Sequence, residues 1–280
     1  MPSPRSRHFA YTSDGVLRFY DVAELENLPP PSWLVESLLP ENAFAVLYGP
    51  SGAGKSFLAL DIALHIATGL PWNGKMTSPG YVLYVSAEGR AGLGQRLKAW
   101  RLDKGLDAED FTGHIALVPE AVSVHGESDH IEKLFTRFEE VEEEPRLIVF
   151  DTLARCFDGD ENKQEDMGRF VKGVDRFRGR YGCAVLAVHH TGKNGMEERG
   201  SGALRAASDT MIHLMPGVLG MKGASPFIRA KETTFTMQVS KQKDAPEADI
   251  AIGRLRPVTG TTSCVPSIEW ISEAELLGQD

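Results

Sequence analysis

No apolar run in this 280-residue chain approaches the roughly 20 residues that a membrane-spanning helix needs. Its opening stretch, MPSPRSRHFAYTSDG, lacks the apolar centre of a secretory leader, so a cytoplasmic location with no membrane partner is the expectation. Cysteine is scarce. Cys156, Cys183 and Cys264 stand far apart, fit no metal-ligand spacing and are too few for a disulfide scaffold, so they read as small buried hydrophobes. Excess positive charge is missing as well. A net charge of −9 excludes a surface coated for nucleic-acid binding, because affinity for phosphates comes from clustered Lys and Arg that displace counterions; a local basic loop or a basic central channel stays open. The acidic run EEVEEE at 139–144 reads as a solvated helix end. Trp33, Trp72, Trp100 and Trp270 do not alternate with cations and read as packing residues. No repeat, low-complexity segment or long linker divides the chain, which leaves one large domain as the expectation.

What is present is an alternation. Residues 1–40 read as an irregular lead-in closing on LPPPSW, where three prolines forbid helix and favour extended chain, and residues 41–280 as the ordered domain. FAVLYG at 44–49 is a buried strand, followed after a turn by the helical run KSFLALDIALHIAT, which stops at Gly69 with Pro71 beyond. GYVLYVSAE, HIALVPE, RLIVFDT and CAVLAVHH read as further strands. Helices fall between them over GLGQRLKAWRLDK, from the capping residue Ser128 onward, and over about 164–181. Strands alternating with helices predict an α/β fold with a mainly parallel sheet flanked by helices on both faces. Past Asp209, DTMIHLM, TTFTMQVSK and DIAIGRLRPV read as successive strands with no helix between them, placing antiparallel pairing toward the C-terminus.

Gly49-Pro50-Ser51-Gly52-Ala53-Gly54-Lys55-Ser56 satisfies G-x-x-x-x-G-K-[ST] at every position. The glycines let backbone N–H groups curl around a β-phosphate and the helix N-terminus adds its dipole. Lys55 reaches the β and γ oxygens, and the Ser56 hydroxyl takes Mg²⁺, so the ligands implied are ATP and Mg²⁺. Such a loop needs a second acid at the end of an apolar strand to hold the metal, and Asp151 stands there. Many relatives of this motif carry the water-activating acid directly after that aspartate, but position 152 is Thr. Glu88, delivered to the C-terminal end of another strand, is the candidate instead. His189 and His190 end CAVLAVHH at the same ligand edge, where one of them would sense a γ-phosphate.

The order GPSGAGKS, YVSAE, LIVFDT, LAVHHTGK, RGSGALRAASDTMIHL resembles the RecA-type ATPase core of RepA- and DnaB-like hexameric replicative helicases, in the compact plasmid and phage form, over about residues 30–260. The resemblance implies a RecA-like P-loop NTPase domain over 41–280 that assembles head to tail into a hexameric ring and takes part in DNA replication. ATP then lies between subunits, Glu88 polarises the attacking water, and His189 or His190 couples nucleotide to DNA. The family's DNA-contacting loop corresponds to residues 191–202, with Lys193 and Arg199 its cations. Lys241 and Lys243 in VSKQKDAPE correspond to basic residues reaching into the neighbouring subunit's ATP site. The family's second residue is usually arginine, whose planar fork lysine lacks, so Arg254 and Arg256 stand as alternatives. The lead-in is too short to replace the primase-binding domain of DnaB proteins. Single-stranded DNA and replication-initiation or loading proteins are the implied partners. Two rival readings remain: a filament-forming recombination or repair ATPase, and a regulatory nucleotide switch acting on proteins.

Overall fold

The structure, a computed structural model, describes residues 20–87, 90–111, 113–126, 128–192, 202–217, 234–243 and 250–271. Residues 20–40, expected to be irregular, carry a short capped helix α1 (Val22–Glu26) and a hairpin of β1 (Trp33–Val35) with β2 (Leu39–Pro40). The hairpin forms because Leu34, Val35, Leu38 and Leu39 are buried in the same core as the helix after the phosphate loop. Each of its strands is too short for a periodicity to show.

The body of the fold is β3 (Phe44–Gly49), α2 (Lys55–Thr68), β4 (Tyr81–Ser86), α3 (Arg90–Lys104), β5 (Ile115–Val118), α4 (Asp129–Glu140), β6 (Pro145–Asp151), α5 (Gln164–Tyr181), β7 (Ala184–His190), α6 (Ala203–Ala207), β8 (Thr210–Pro216), β9 (Thr234–Gln242), β10 (Ile250–Pro257) and β11 (Cys264–Ile271). Nine strands form one sheet in the order β11-β10-β9-β8-β3-β7-β6-β4-β5. Pairing is parallel from β8 through β5 and antiparallel from β8 through β11. This is the expected α/β architecture.

Every residue of β3 is buried, which an apolar strand in mid-sheet requires once helices cover both faces. One face packs α2, α3 and the hairpin around Leu58, Ile62, Ile66 and Trp100. The other packs α4 and α5 through Phe135, Phe138, Phe170 and Phe177. Ser128 caps α4 by accepting from the His130 N–H at 3.2 Å, as its position predicts. Trp72 and Trp100 are fully buried, in line with a packing role. Burial pushes the Cys156 and Cys183 thiols up to about 11 and about 12, while Cys264 is only half-buried at the sheet's edge. Besides α1 and the hairpin, two further elements escape the sequence reading, the five-residue α6 and β11 with its internal Pro266. Among the described residues no helix is long and apolar enough to cross a membrane.

Candidate nucleotide-binding site

Parallel strands carry their C-terminal ends to one edge, and in this register Gly49 pairs with His190, Asp151 with Val188 and Ser86 with Asp151. The phosphate loop leaves the sheet at that edge. Gly49 is glycine for a packing reason: a Cβ there would come within 2.2 Å of the Leu214 carbonyl oxygen on β8. Gly54 opens α2 at φ +94°, a left-handed conformation that costs a side-chain-bearing residue but not glycine. Pro50, Ser51, Gly52 and Ala53 complete the loop, with Ala53 donating to the Pro50 carbonyl at 3.3 Å. The first-turn N–H groups of α2, which a helix cannot pair internally, are thereby presented beside the ends of β6 and β7.

Five described side chains converge there, those of Lys55, His190, Ser56, Asp151 and Tyr84. Lys55 is 5 % exposed, and its Nζ donates to the carbonyls of Gly49 at 2.9 Å and Pro50 at 2.8 Å, with His190 Nδ1 at 3.4 Å. Ser56 Oγ donates to Asp151 Oδ1 at 2.9 Å. Asp151 is 3 % exposed, and its other oxygen accepts from the Tyr84 hydroxyl at 2.7 Å. Tyr84 is a residue the sequence reading missed. Burial first, and the adjacent Asp151 carboxylate second, hold its phenol well above its ordinary pKa, so it stays a hydrogen-bond donor.

The two histidines part company. Side chains alternate along a strand, so only one of the pair can share a face with Lys55, and that one is His190. His189 is fully buried on the opposite face, in register with Tyr48, whose ring stacks on His213 with centroids 4.5 Å apart. Lys241 Nζ donates to the carbonyls of Arg205 at 2.6 Å and Ser208 at 2.5 Å, at the end of α6, and Lys243 Nζ lies 3.4 Å from Asp209 Oδ1 with its side chain 65 % exposed. On β10, Leu255 packs beneath Gly54, and Arg256 pairs with Asp103 of α3. Ala87 donates to the Asp151 carbonyl at 2.8 Å, which brings the end of β4 beside the site. Glu88 itself, with Lys193 and Arg199, lies outside the described residues.

A second buried aspartate sits deeper on α2. Asp61 accepts from both Trp72 Nε1 and Trp100 Nε1 at 2.7 Å, with His65 Nδ1 at 3.3 Å. Burial drives the Asp61 carboxyl above its ordinary pKa, against the pull of His65 and the two indoles, and lowers that of His65.

A KaiC-like protein from the hyperthermophilic archaeon Pyrococcus horikoshii has a similar solved structure, with a TM-score of 0.51 and 15 % identity over 85 % of this chain and 96 % of that one. At that identity the likeness carries the fold alone, a RecA-like one. Residues 15–196 match the AAA-domain family, a stretch that holds the phosphate loop, Tyr84, Asp151 and both histidines. With its phosphate loop mounted on a mostly parallel sheet, the protein has a RecA-type P-loop ATPase core, and the chain belongs to the AAA-domain family.

Proposed function

We propose that this protein is a Mg²⁺-dependent ATP hydrolase, a ring-forming replicative helicase or translocase of RepA type that acts on single-stranded DNA. The observation that carries the chemistry is the Ser56–Asp151 pair, 2.9 Å apart beside the phosphate loop. A hydroxyl and a carboxylate are the oxygen donors a hard divalent cation selects. When bound, Mg²⁺ would neutralise charge on the transferred phosphate oxygens.

Around it the chain's own groups divide the work. The main-chain donors from Gly49 to Ser56 hold the phosphates, and Lys55 exchanges its loop carbonyls for phosphate oxygens. Glu88 takes up the proton of the attacking water. His190, beside Lys55, is the partner that senses the γ-phosphate, while on the other face the Tyr48 ring of β3 stacks on His213 of β8. Of the two lysines that would reach a neighbouring subunit, Lys243 keeps its ammonium on the surface, whereas Lys241 is engaged at α6. Lys193 and Arg199 supply the DNA-facing cations. Repeated around a channel, two such cations per subunit make a positive track within a particle of net negative charge.

The test is ATP turnover with and without single-stranded DNA, alongside a native mass measurement. Turnover stimulated by DNA, a ring-sized mass, and a loss on the order of 10²-fold in Lys55→Ala are expected, because removing one fixed donor from a developing charge has that effect. Undiminished turnover in Lys55→Ala would overturn the chemistry. DNA that neither binds nor stimulates would overturn the helicase reading and leave a nucleotide switch, and open helical filaments in electron micrographs would favour a recombination ATPase.

A further inference from the structure

We infer that Tyr84 is a positioning residue for divalent-cation recognition, its hydroxyl holding the Asp151 carboxylate in the orientation in which Oδ1 meets Ser56. The inference rests on the reading of Ser56 and Asp151 as the cation site and deepens it.

A carboxylate turns easily about its last torsion, whose energy is broad and roughly two-fold, so an aspartate that must present one oxygen needs its other oxygen anchored. Asp151 has two described hydroxyl partners. Ser56 Oγ donates to Oδ1 and Tyr84 to Oδ2, the second at 2.7 Å. Ser56 is the residue the cation would share, so its hydroxyl cannot also serve as the anchor. Tyr84 can, because it is fully buried on β4, paired with Val149 of the strand that ends at Asp151. Its hydroxyl also lies 3.4 Å from the Ser56 carbonyl oxygen, so one rigid ring spans both members of the pair. Phenylalanine would fill the same space among Leu58, Val82 and Val149 of this core face. The hydroxyl therefore adds nothing to apolar packing, and what it does contribute is aimed at the acid.

The experiment compares wild type, Tyr84→Phe, Asp151→Asn and the double variant by the affinity of a fluorescent ATP analogue, in EDTA and across a Mg²⁺ titration. Tyr84→Phe is expected to bind the analogue in EDTA as wild type does, yet to need about tenfold more Mg²⁺ for half of the metal effect, the usual consequence of removing a partner from a metal ligand. Since Tyr84 acts through Asp151, the double variant should be no worse than Asp151→Asn alone. A Mg²⁺ titration that superposes on wild type would overturn the inference, as would an equal loss of affinity in EDTA, which would make the hydroxyl a support of the phosphate loop instead. An additional loss in the double variant would also overturn it. A wild type whose affinity ignores Mg²⁺ would bring down the cation site itself, a result distinct from the other three.

Discussion

Asp151 and Asp61 are both buried, at 3 % and 2 % exposure, both bonded by neighbouring side chains, and both in contact with α2 or its own residue. Their partners differ in kind. Asp151 is held by two hydroxyls, of which that of Ser56 can turn to a cation, and beside it lie a lysine bonded to loop carbonyls and a helix N-terminus, both able to take phosphate oxygens instead. Asp61 is closed by two indole N–H groups, which only donate, and by a histidine on its own helix. Trp72 comes from the loop after α2 and Trp100 from α3, so Asp61 fastens three segments together in the middle of an apolar core. Burial and a perturbed carboxylate therefore do not mark a site by themselves. What marks one is an open edge with donors to spare.

Asp151→Asn should be the most damaging of the substitutions. The substitution removes the charge a divalent cation needs, and turnover should fall by about 10²-fold, with thermal stability kept, in a phosphate-release assay paired with a melting curve. Asp61→Asn is the mirror experiment. An amide nitrogen would face an indole N–H, leaving a buried donor unmet, and chemical denaturation should register a loss of about 3 kcal/mol while the folded fraction still binds nucleotide. Smallest is Trp100→Phe, which keeps most of the ring's burial but removes one of the indole donors; about 1–2 kcal/mol is expected from the same denaturation curve. A change in nucleotide affinity in Trp100→Phe larger than in Asp61→Asn would break the comparison, because it would tie α3 to the site by a route other than Asp61.

The parallel half of the sheet was legible because each strand there is a compact apolar run bounded by glycine or a helix cap, and the phosphate loop because its glycines, lysine and serine have fixed spacing. The hairpin at 33–40 was not, since strands of two and three residues carry no period and exist through contacts with α2 and its following loop. β11 was masked by Pro266, which a sheet accepts on an edge strand such as this one. Tyr84 was invisible for a different reason. Within YVLYVS a tyrosine looks like one more strand former, and only the register of β4 against β6 sets its hydroxyl under Asp151. The Asp61 cluster likewise unites positions 61, 72 and 100, which no local pattern connects. The separation of His189 from His190 follows from strand alternation, but deciding which of them faces Lys55 required the pairing of β3 with β7.

The most direct test measures phosphate release from ATP by Asp151→Asn and Asp61→Asn side by side, at a temperature where both are folded. Asp151→Asn is expected to lose nearly all turnover while Asp61→Asn keeps that of the unaltered protein. Turnover retained in Asp151→Asn, or abolished in a folded Asp61→Asn, would contradict that expectation.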